Sequence, residues 1–234
     1  MALTETYISK RGELETYFDR TASETWAKLT SDAPVSGIRA TVRAGRDAMR
    51  ATLLGWLPAD LSNASVLDAG CGTGQLSLEA ARRGAHVTAI DLSQSLVDVA
   101  RERIGPDAAP GTIDFRVGDM FDPALGRFDH VVAMDSVIHY GATDMAAIVA
   151  GFADRAERSV LFTFAPRTPA LSLMHAAGQL FPRSDRSPAI QPIGEGALMR
   201  RLAENPTLKD WQVSRTKRIA SSFYISQAVE LIRR

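Results

Sequence analysis

Two rhythms of apolar residues alternate through the middle of the chain. Short runs rich in Val, Ile and Leu lie at 65–67, 87–91, 113–117, 128–135 and 159–164. Between them apolar residues recur every three or four positions, from Leu76 to about residue 83, over 93–104 and over 144–156. The first rhythm predicts strands and the second helices. Ser93 stands where a helix N-cap belongs and Gly105-Pro106 where that helix must stop. The run 128–135 is almost continuously apolar, as suits a parallel strand covered on both faces. Strand and helix in alternation predict an α/β domain.

The flanks read differently. Leu14, Tyr17, Phe18, Trp26 and Leu29 recur at helical spacing over 5–31, until Ser31-Asp32-Ala33-Pro34 breaks the run. A helix over 38–57 puts Ile38, Val42, Met49, Leu53 and Leu57 on one side. Its other side carries Arg39, Arg43, Arg46 and Arg50, a row that is either solvated or an anion-binding face. After the fifth strand, 171–193 holds an apolar helix over 171–180 and a loop rich in Pro and Arg. That length exceeds an ordinary connection and reads either as a lid or as a helix on the sheet edge. A helix over 194–204 and two strands over 211–221 and 222–231 follow, the strands forming a hairpin at the sheet edge.

Composition narrows the class. The 234 residues are 45% hydrophobic and 23% charged, enough for one domain with a full core. Lys plus Arg and Asp plus Glu are each 27, so no overall positive field favours nucleic acid. Cys71 is the single cysteine, which rules out an intrachain disulfide and suggests a reducing compartment. Neither an apolar leader nor a run long enough to span a bilayer is visible, so a cytoplasmic location is expected.

The candidate chemistry sits where the first strand meets its helix. Asp68-Ala69-Gly70-Cys71-Gly72-Thr73-Gly74 is a turn whose glycines let backbone approach a ligand. The next strand ends in Asp91, placed to accept hydrogen bonds from a ribose diol. A dinucleotide site would need G-x-G-x-x-G, whereas Gln75 and Leu76 stand where the spaced glycine belongs. The thiol of Cys71 is either a nucleophile or a small filler of the loop. The ends of the third and fourth strands, Gly118-Asp119-Met120 and 135–140, must face the same crevice. His139 there either polarises a substrate or is a buried histidine with one partner.

The glycine loop and its two acids resemble the first signature motif of class I S-adenosylmethionine-dependent methyltransferases. The resemblance implies a Rossmann-like, seven-stranded, mostly parallel sheet with helices on both faces, an N-terminal helical arm and a lid insertion after the fifth strand. It implies S-adenosyl-L-methionine as cofactor, held by Asp68, Gly70, Cys71, Gly72 and Gly74, by Asp91 and Leu92, by Asp119 and Met120 at the adenine, and by Asp135. The arm, over 1–60, would cover that site; the domain would occupy 61–234, with the lid at about 167–193.

Further stretches resemble the magnesium-protoporphyrin IX methyltransferase family: Tyr17-Phe18-Asp19 with Trp26, Arg43-Ala44-Gly45 leading to Trp56-Leu57, Asp135-Ser136-Val137-Ile138-His139-Tyr140, and Phe164-Ala165-Pro166-Arg167-Thr168. Members often carry histidine where Arg46 stands and a tyrosine where this chain has Thr30. The resemblance implies methylation of a propionate carboxylate of magnesium protoporphyrin IX in chlorophyll or bacteriochlorophyll synthesis, with the magnesium part of the substrate and no protein metal site. His139 and Tyr17 would orient the reacting carboxylate; Tyr140, Arg167 and Arg183 would hold the rest of the substrate. It also implies contact with the porphyrin-binding subunit of magnesium chelatase and at most peripheral membrane association. The rivals are an O-methyltransferase for another small molecule, such as a quinone precursor, and a non-catalytic protein that binds porphyrin or S-adenosylmethionine.

Overall fold

The computed structural model describes residues 4–21, 37–105, 110–167 and 189–234. Strands β1 (Ser65–Ala69), β2 (His86–Asp91), β3 (Thr112–Val117), β4 (Phe128–Ala133), β5 (Ala156–Phe164), β6 (Trp211–Ser221) and β7 (Tyr224–Arg233) form one sheet in the order β3-β2-β1-β4-β5-β7-β6. The first five are parallel; β7 runs antiparallel to both β5 and β6. The expected seven-stranded, mostly parallel sheet is therefore present.

The apolar runs lack alternation because both faces of the sheet are covered. Along β4, Val131 and Ala133 join the core beneath helix α5 (Ala142–Arg155) together with Phe162, Met145 and Phe152. The next residues on the opposite face, Val132 and Met134, pack with Leu161, Met49 and Leu53. Met49 and Leu53 belong to helix α2 (Ile38–Trp56), and helix α3 (Gln75–Arg82) covers the same face. Helix α4 (Gln94–Ile104) is capped by Ser93, whose Oγ accepts the Leu96 N–H, as expected. Helix α6 (Glu195–Glu204) packs beside α5. A Cβ at Gly45 would overlap the Tyr224 ring, so glycine lets α2 lie close against the β6–β7 hairpin.

At the N-terminus, α1 (Glu5–Thr16) starts at Thr4, whose Oγ1 accepts the Tyr7 N–H at 3.1 Å, and gives way to a π-helical turn, Tyr17–Thr21. The fifth strand starts at Ala156 rather than 159, since its helix ends at Arg155, and two other expected boundaries shift at residues with positive φ. The fourth strand stops at Ala133 rather than 135, because Asp135 adopts φ +53°, which a strand cannot accommodate. The last strand starts at Tyr224 rather than 222, because Ser222, with φ +51°, makes the hairpin turn. The second half of the arm with Trp26, the apolar lid helix and Arg183 lie outside the described residues. Among the described residues no helix is long and apolar enough to cross a membrane.

Candidate active site

The loop after β1 is built by contacts only small residues permit. Gly70 has φ +80°, and a Cβ there would overlap the Ser136 side chain. Gly70 and Cys71 donate their N–H groups to the Ile90 carbonyl at 2.8 and 3.0 Å, pinning the loop to the end of β2. The Gly72 N–H donates to Asp91 Oδ2 at 2.8 Å, and the Ser93 N–H to Asp91 Oδ1 at 3.0 Å. Beyond Gly72 no atom lies within 4 Å of where a Cβ would point. Open space beside the loop and a carboxylate at the strand end suit a ribose and a methionine chain, so the residues present fit the implied cofactor.

Asp68 lies beneath this loop rather than in it. It is 2% exposed and accepts the Ser77 hydroxyl at 2.6 Å, tying β1 to the first turns of α3. Burial pushes its carboxyl up to about 7, with only Ser77 opposing. The Asp91 carboxyl is also raised by burial, against bonds from three backbone N–H groups. Burial pushes the Cys71 thiol up well beyond its ordinary range, which favours the loop-filler reading over the nucleophile.

A cavity of about 290 Å³ opens from this loop. The lining brings together Gly70 and Gly72 of the loop, Asp91 and Leu92 at the end of β2, Met120 after β3, and Asp135, Ser136, Ile138, His139 and Tyr140 after β4. The strand ends thus converge as the sequence suggests. Asp119 stands just outside and is claimed by the arm. Its Oδ1 accepts the Tyr7 hydroxyl and the Phe121 N–H, both at 2.8 Å, and its Oδ2 accepts Arg11 Nη1 at 2.7 Å. Tyr7 is buried and stacks on Tyr140 with ring centroids 5.2 Å apart. Burial and Asp119 raise its pKa, so the phenol stays a donor. Sequence reasoning missed Tyr7 and Arg11; the one available signal was the N-cap Thr4 three residues before Tyr7.

After β4 the Asp135 carboxylate gathers four side chains. Thr163 Oγ1 and Ser226 Oγ donate to Oδ1 at 3.0 and 3.1 Å, Arg46 Nη1 to Oδ2 at 2.9 Å, and the Tyr224 hydroxyl reaches Oδ2 at 2.9 Å. These bonds outweigh the cost of a left-handed backbone at a non-glycine residue. His139 is buried in the cavity wall, with Nδ1 3.4 Å from the Ala189 carbonyl and its ring 6.0 Å from that of Phe18. Tyr17 stands one residue back, edge-on to Phe18 at 5.1 Å; Phe18, not Tyr17, lines the cavity. Arg167 is exposed and outside the cavity lining, with its N–H bonded to the Ile193 carbonyl.

A parallel sheet with a reversed seventh strand, a glycine loop after β1 and acids after β2 and β3 defines a class I S-adenosylmethionine-dependent methyltransferase. A methyltransferase-domain model matches residues 66–157, and the model described as "Magnesium-protoporphyrin IX methyltransferase C-terminus" matches residues 133–233. The magnesium-protoporphyrin O-methyltransferase of Rhodobacter capsulatus is 46% identical, over 96% of this chain and 97% of its own length. The crystal structure of magnesium protoporphyrin IX methyltransferase from Synechocystis PCC 6803 with bound SAH superposes with a TM-score of 0.83 at 27% identity, covering 96% of this chain and all of that one. A ubiquinone biosynthesis O-methyltransferase of Xanthomonas oryzae is 45% identical over only 38% of this chain. The chain belongs to the magnesium-protoporphyrin O-methyltransferase family.

Proposed function

We infer that this protein transfers the methyl group of S-adenosyl-L-methionine to a propionate carboxylate of magnesium protoporphyrin IX, giving the monomethyl ester used in (bacterio)chlorophyll synthesis. One observation carries the reading: Asp91, the glycine loop and His139 share the lining of one largely apolar cavity, and the likeness to the porphyrin methyltransferase covers 96% of the chain. The likeness to the quinone methyltransferase covers only 38% of the chain, against 96% for the porphyrin methyltransferase.

The chemistry asks little of a base. A propionic acid resembles a glutamate side chain, with a pKa of about 4.3, and is ionised at neutral pH. S-adenosylmethionine, when bound, supplies a methyl group on a sulfonium. The sulfonium cation and the reacting carboxylate anion become a neutral thioether and a neutral ester group, so the charge is dispersed in the transition state and a dry apolar site favours the transfer. The protein's task is alignment of oxygen, carbon and sulfur, worth several kcal/mol when well made.

Asp91, the backbone of the glycine loop and Leu92 hold the ribose and methionine parts. Met120, on the cavity wall, packs on the adenine, and Asp119 takes its amino group while retaining Arg11 and Tyr7 from the arm. Asp68 acts through Ser77 by fixing the loop, and Asp135 shapes the wall. His139 directs the reacting carboxylate, Tyr17 supports it through Phe18, and Tyr140 backs the wall; Arg167 and Arg183 belong with the lid at about 167–193 and the rim of the porphyrin site. The described part of the arm reaches the cavity through Tyr7, Leu14, Phe18, Val42 and Arg46. Exposed Phe223 and Ile190 on the cavity lining suit a greasy substrate handed over by the porphyrin-binding subunit of magnesium chelatase or at a membrane surface, where the protein associates peripherally.

Purified protein incubated with S-adenosylmethionine and magnesium protoporphyrin IX, with ester followed by chromatography, tests the reading. Monomethyl ester and stoichiometric S-adenosylhomocysteine are expected. Cofactor binding without ester, or ester only from a phenolic acceptor, would discard the acceptor.

A further inference from the structure

We propose that Arg46 is the carboxylate anchor of the substrate site and holds the propionate that is not methylated. The proposal rests on the porphyrin reading above and adds a residue and a division of labour between the two propionates.

The cavity is largely apolar, with Val42, Met134, Ile138 and Phe223 on its walls, and among the described residues Arg46 is its only cation. Its two carboxylates are already engaged: Asp91 with the backbone of Gly72 and Ser93, Asp135 with its four side chains. A dianionic ligand therefore meets one positive group in the described wall. The other arginines of the same helix are disposed differently. Arg39 is exposed, and neither Arg43 nor Arg50, which pairs with Asp47 and Glu79, lines the cavity.

Asp135 makes Arg46 a fixed anchor rather than a floating charge. Its side chain is 4% exposed against 20% for that of Arg46, and three hydroxyls, from Thr163, Tyr224 and Ser226, orient the carboxylate that grips Nη1. Those hydroxyls come from β5 and β7, so the guanidinium on α2 is referenced to two neighbouring strands of the sheet. A guanidinium keeps its charge at any working pH, and its planar fork matches a carboxylate.

The choice of propionate follows from the reaction. A strong charge-assisted bond to the attacking oxygen would stabilise the anion and weaken as the ester formed, which raises the barrier. On the other propionate the same bond is equally strong throughout and contributes only to binding. Arg46 thus sets KM and the orientation of the macrocycle; His139 is left with the reacting group.

The test is a fluorescence titration of wild type, Arg46→Gln and Arg46→Lys, all saturated with S-adenosylhomocysteine. The ligands are magnesium protoporphyrin IX, its monomethyl ester and its dimethyl ester, which carry two, one and no free carboxylates. Steady-state methylation is measured alongside. Wild type is expected to bind diacid and monoester alike, and the dimethyl ester about tenfold or more weaker. Arg46→Gln should weaken diacid and monoester by about 10- to 100-fold, leave the dimethyl ester unchanged and raise KM far more than it lowers kcat. Arg46→Lys should recover part of the loss. An unchanged diacid affinity in Arg46→Gln, or an equal loss for the dimethyl ester, overturns the proposal while the methylation reading stands. Wild type that binds no porphyrin and forms no ester overturns that reading instead, and this inference with it. Should Arg46→Gln lose S-adenosylhomocysteine binding through misfolding, the wild-type series decides: monoester and dimethyl ester binding equally refutes the anchor.

Discussion

The substitution Gly70→Ala tests the glycine loop most directly. Two costs follow from the structure. Alanine at φ +80° costs about 1–2 kcal/mol of backbone strain. Its Cβ would also overlap Ser136 Cβ and sit 3.0 Å from Ser136 Oγ, whose bond to the Ala69 carbonyl at 2.7 Å braces the same turn. Overpacking of this kind costs about 1–3 kcal/mol. The sum, about 2–5 kcal/mol, lowers the melting temperature of a chain of this size by on the order of 10 °C. It also shifts the Gly72 N–H from Asp91, so affinity for S-adenosylmethionine should fall by about tenfold or more. Ser136→Gly removes the group the new methyl strikes, so Gly70→Ala/Ser136→Gly should melt above the sum of the single changes by about 1–3 kcal/mol, leaving the φ strain behind. Thermal melts and calorimetric titration with S-adenosylmethionine give both numbers. If Gly70→Ala melts and binds like wild type, the close approach of loop to Ser136 is wrong; if the double variant shows simple additivity, the steric cause is wrong.

Other perturbations read other parts of the site. Folding raises the Asp68 carboxyl to about 7, so the native state keeps a proton the unfolded chain loses near pH 4. Its contribution to stability therefore falls as pH rises from about 4 through 7. Asp68→Asn removes that slope, and wild type should lose about 3 kcal/mol more than the variant between pH 5 and 8 in denaturant melts; parallel curves would contradict the burial effect. Tyr7→Phe keeps the stack on Tyr140 but deletes the donor to Asp119, loosening α1 by about 1 kcal/mol. Tryptic cleavage at Lys10 and Arg11, followed by mass spectrometry, should accelerate severalfold, and an unchanged rate would refute the latch. His139→Ala should cut kcat/KM for the porphyrin by about 10²-fold with cofactor affinity intact, since a misaligned carboxylate reacts slowly. Full activity in His139→Ala would remove that residue from the orienting role, and full activity in Tyr17→Ala would remove the support of Tyr17 through Phe18.

Much of this protein was legible because its signals are local. Apolar runs and helical spacing mark the central strands and the helices between them, since burial on both faces imposes those patterns within a few residues. The glycine loop and Asp91 were readable for the same reason: the turn that needs glycines and the acid it bonds lie 19 residues apart within one β-loop-α-β unit. What tertiary structure alone decided are the pairings across the chain. Arg39, Arg43, Arg46 and Arg50 form a single row in sequence, yet the packing of α2 on the hairpin brings Arg46 to the cavity and Arg50 to Glu79. Asp119 reads as a ligand acid, and only the docking of α1 shows that Tyr7 and Arg11 reach it from 112 and 108 residues away. Asp135 meets Ser226 because β7 runs antiparallel beside β5, a choice of partner and direction that no periodicity records. A hydrophobic pattern reports which residues leave water; which polar groups then meet depends on the order in which the strands assemble.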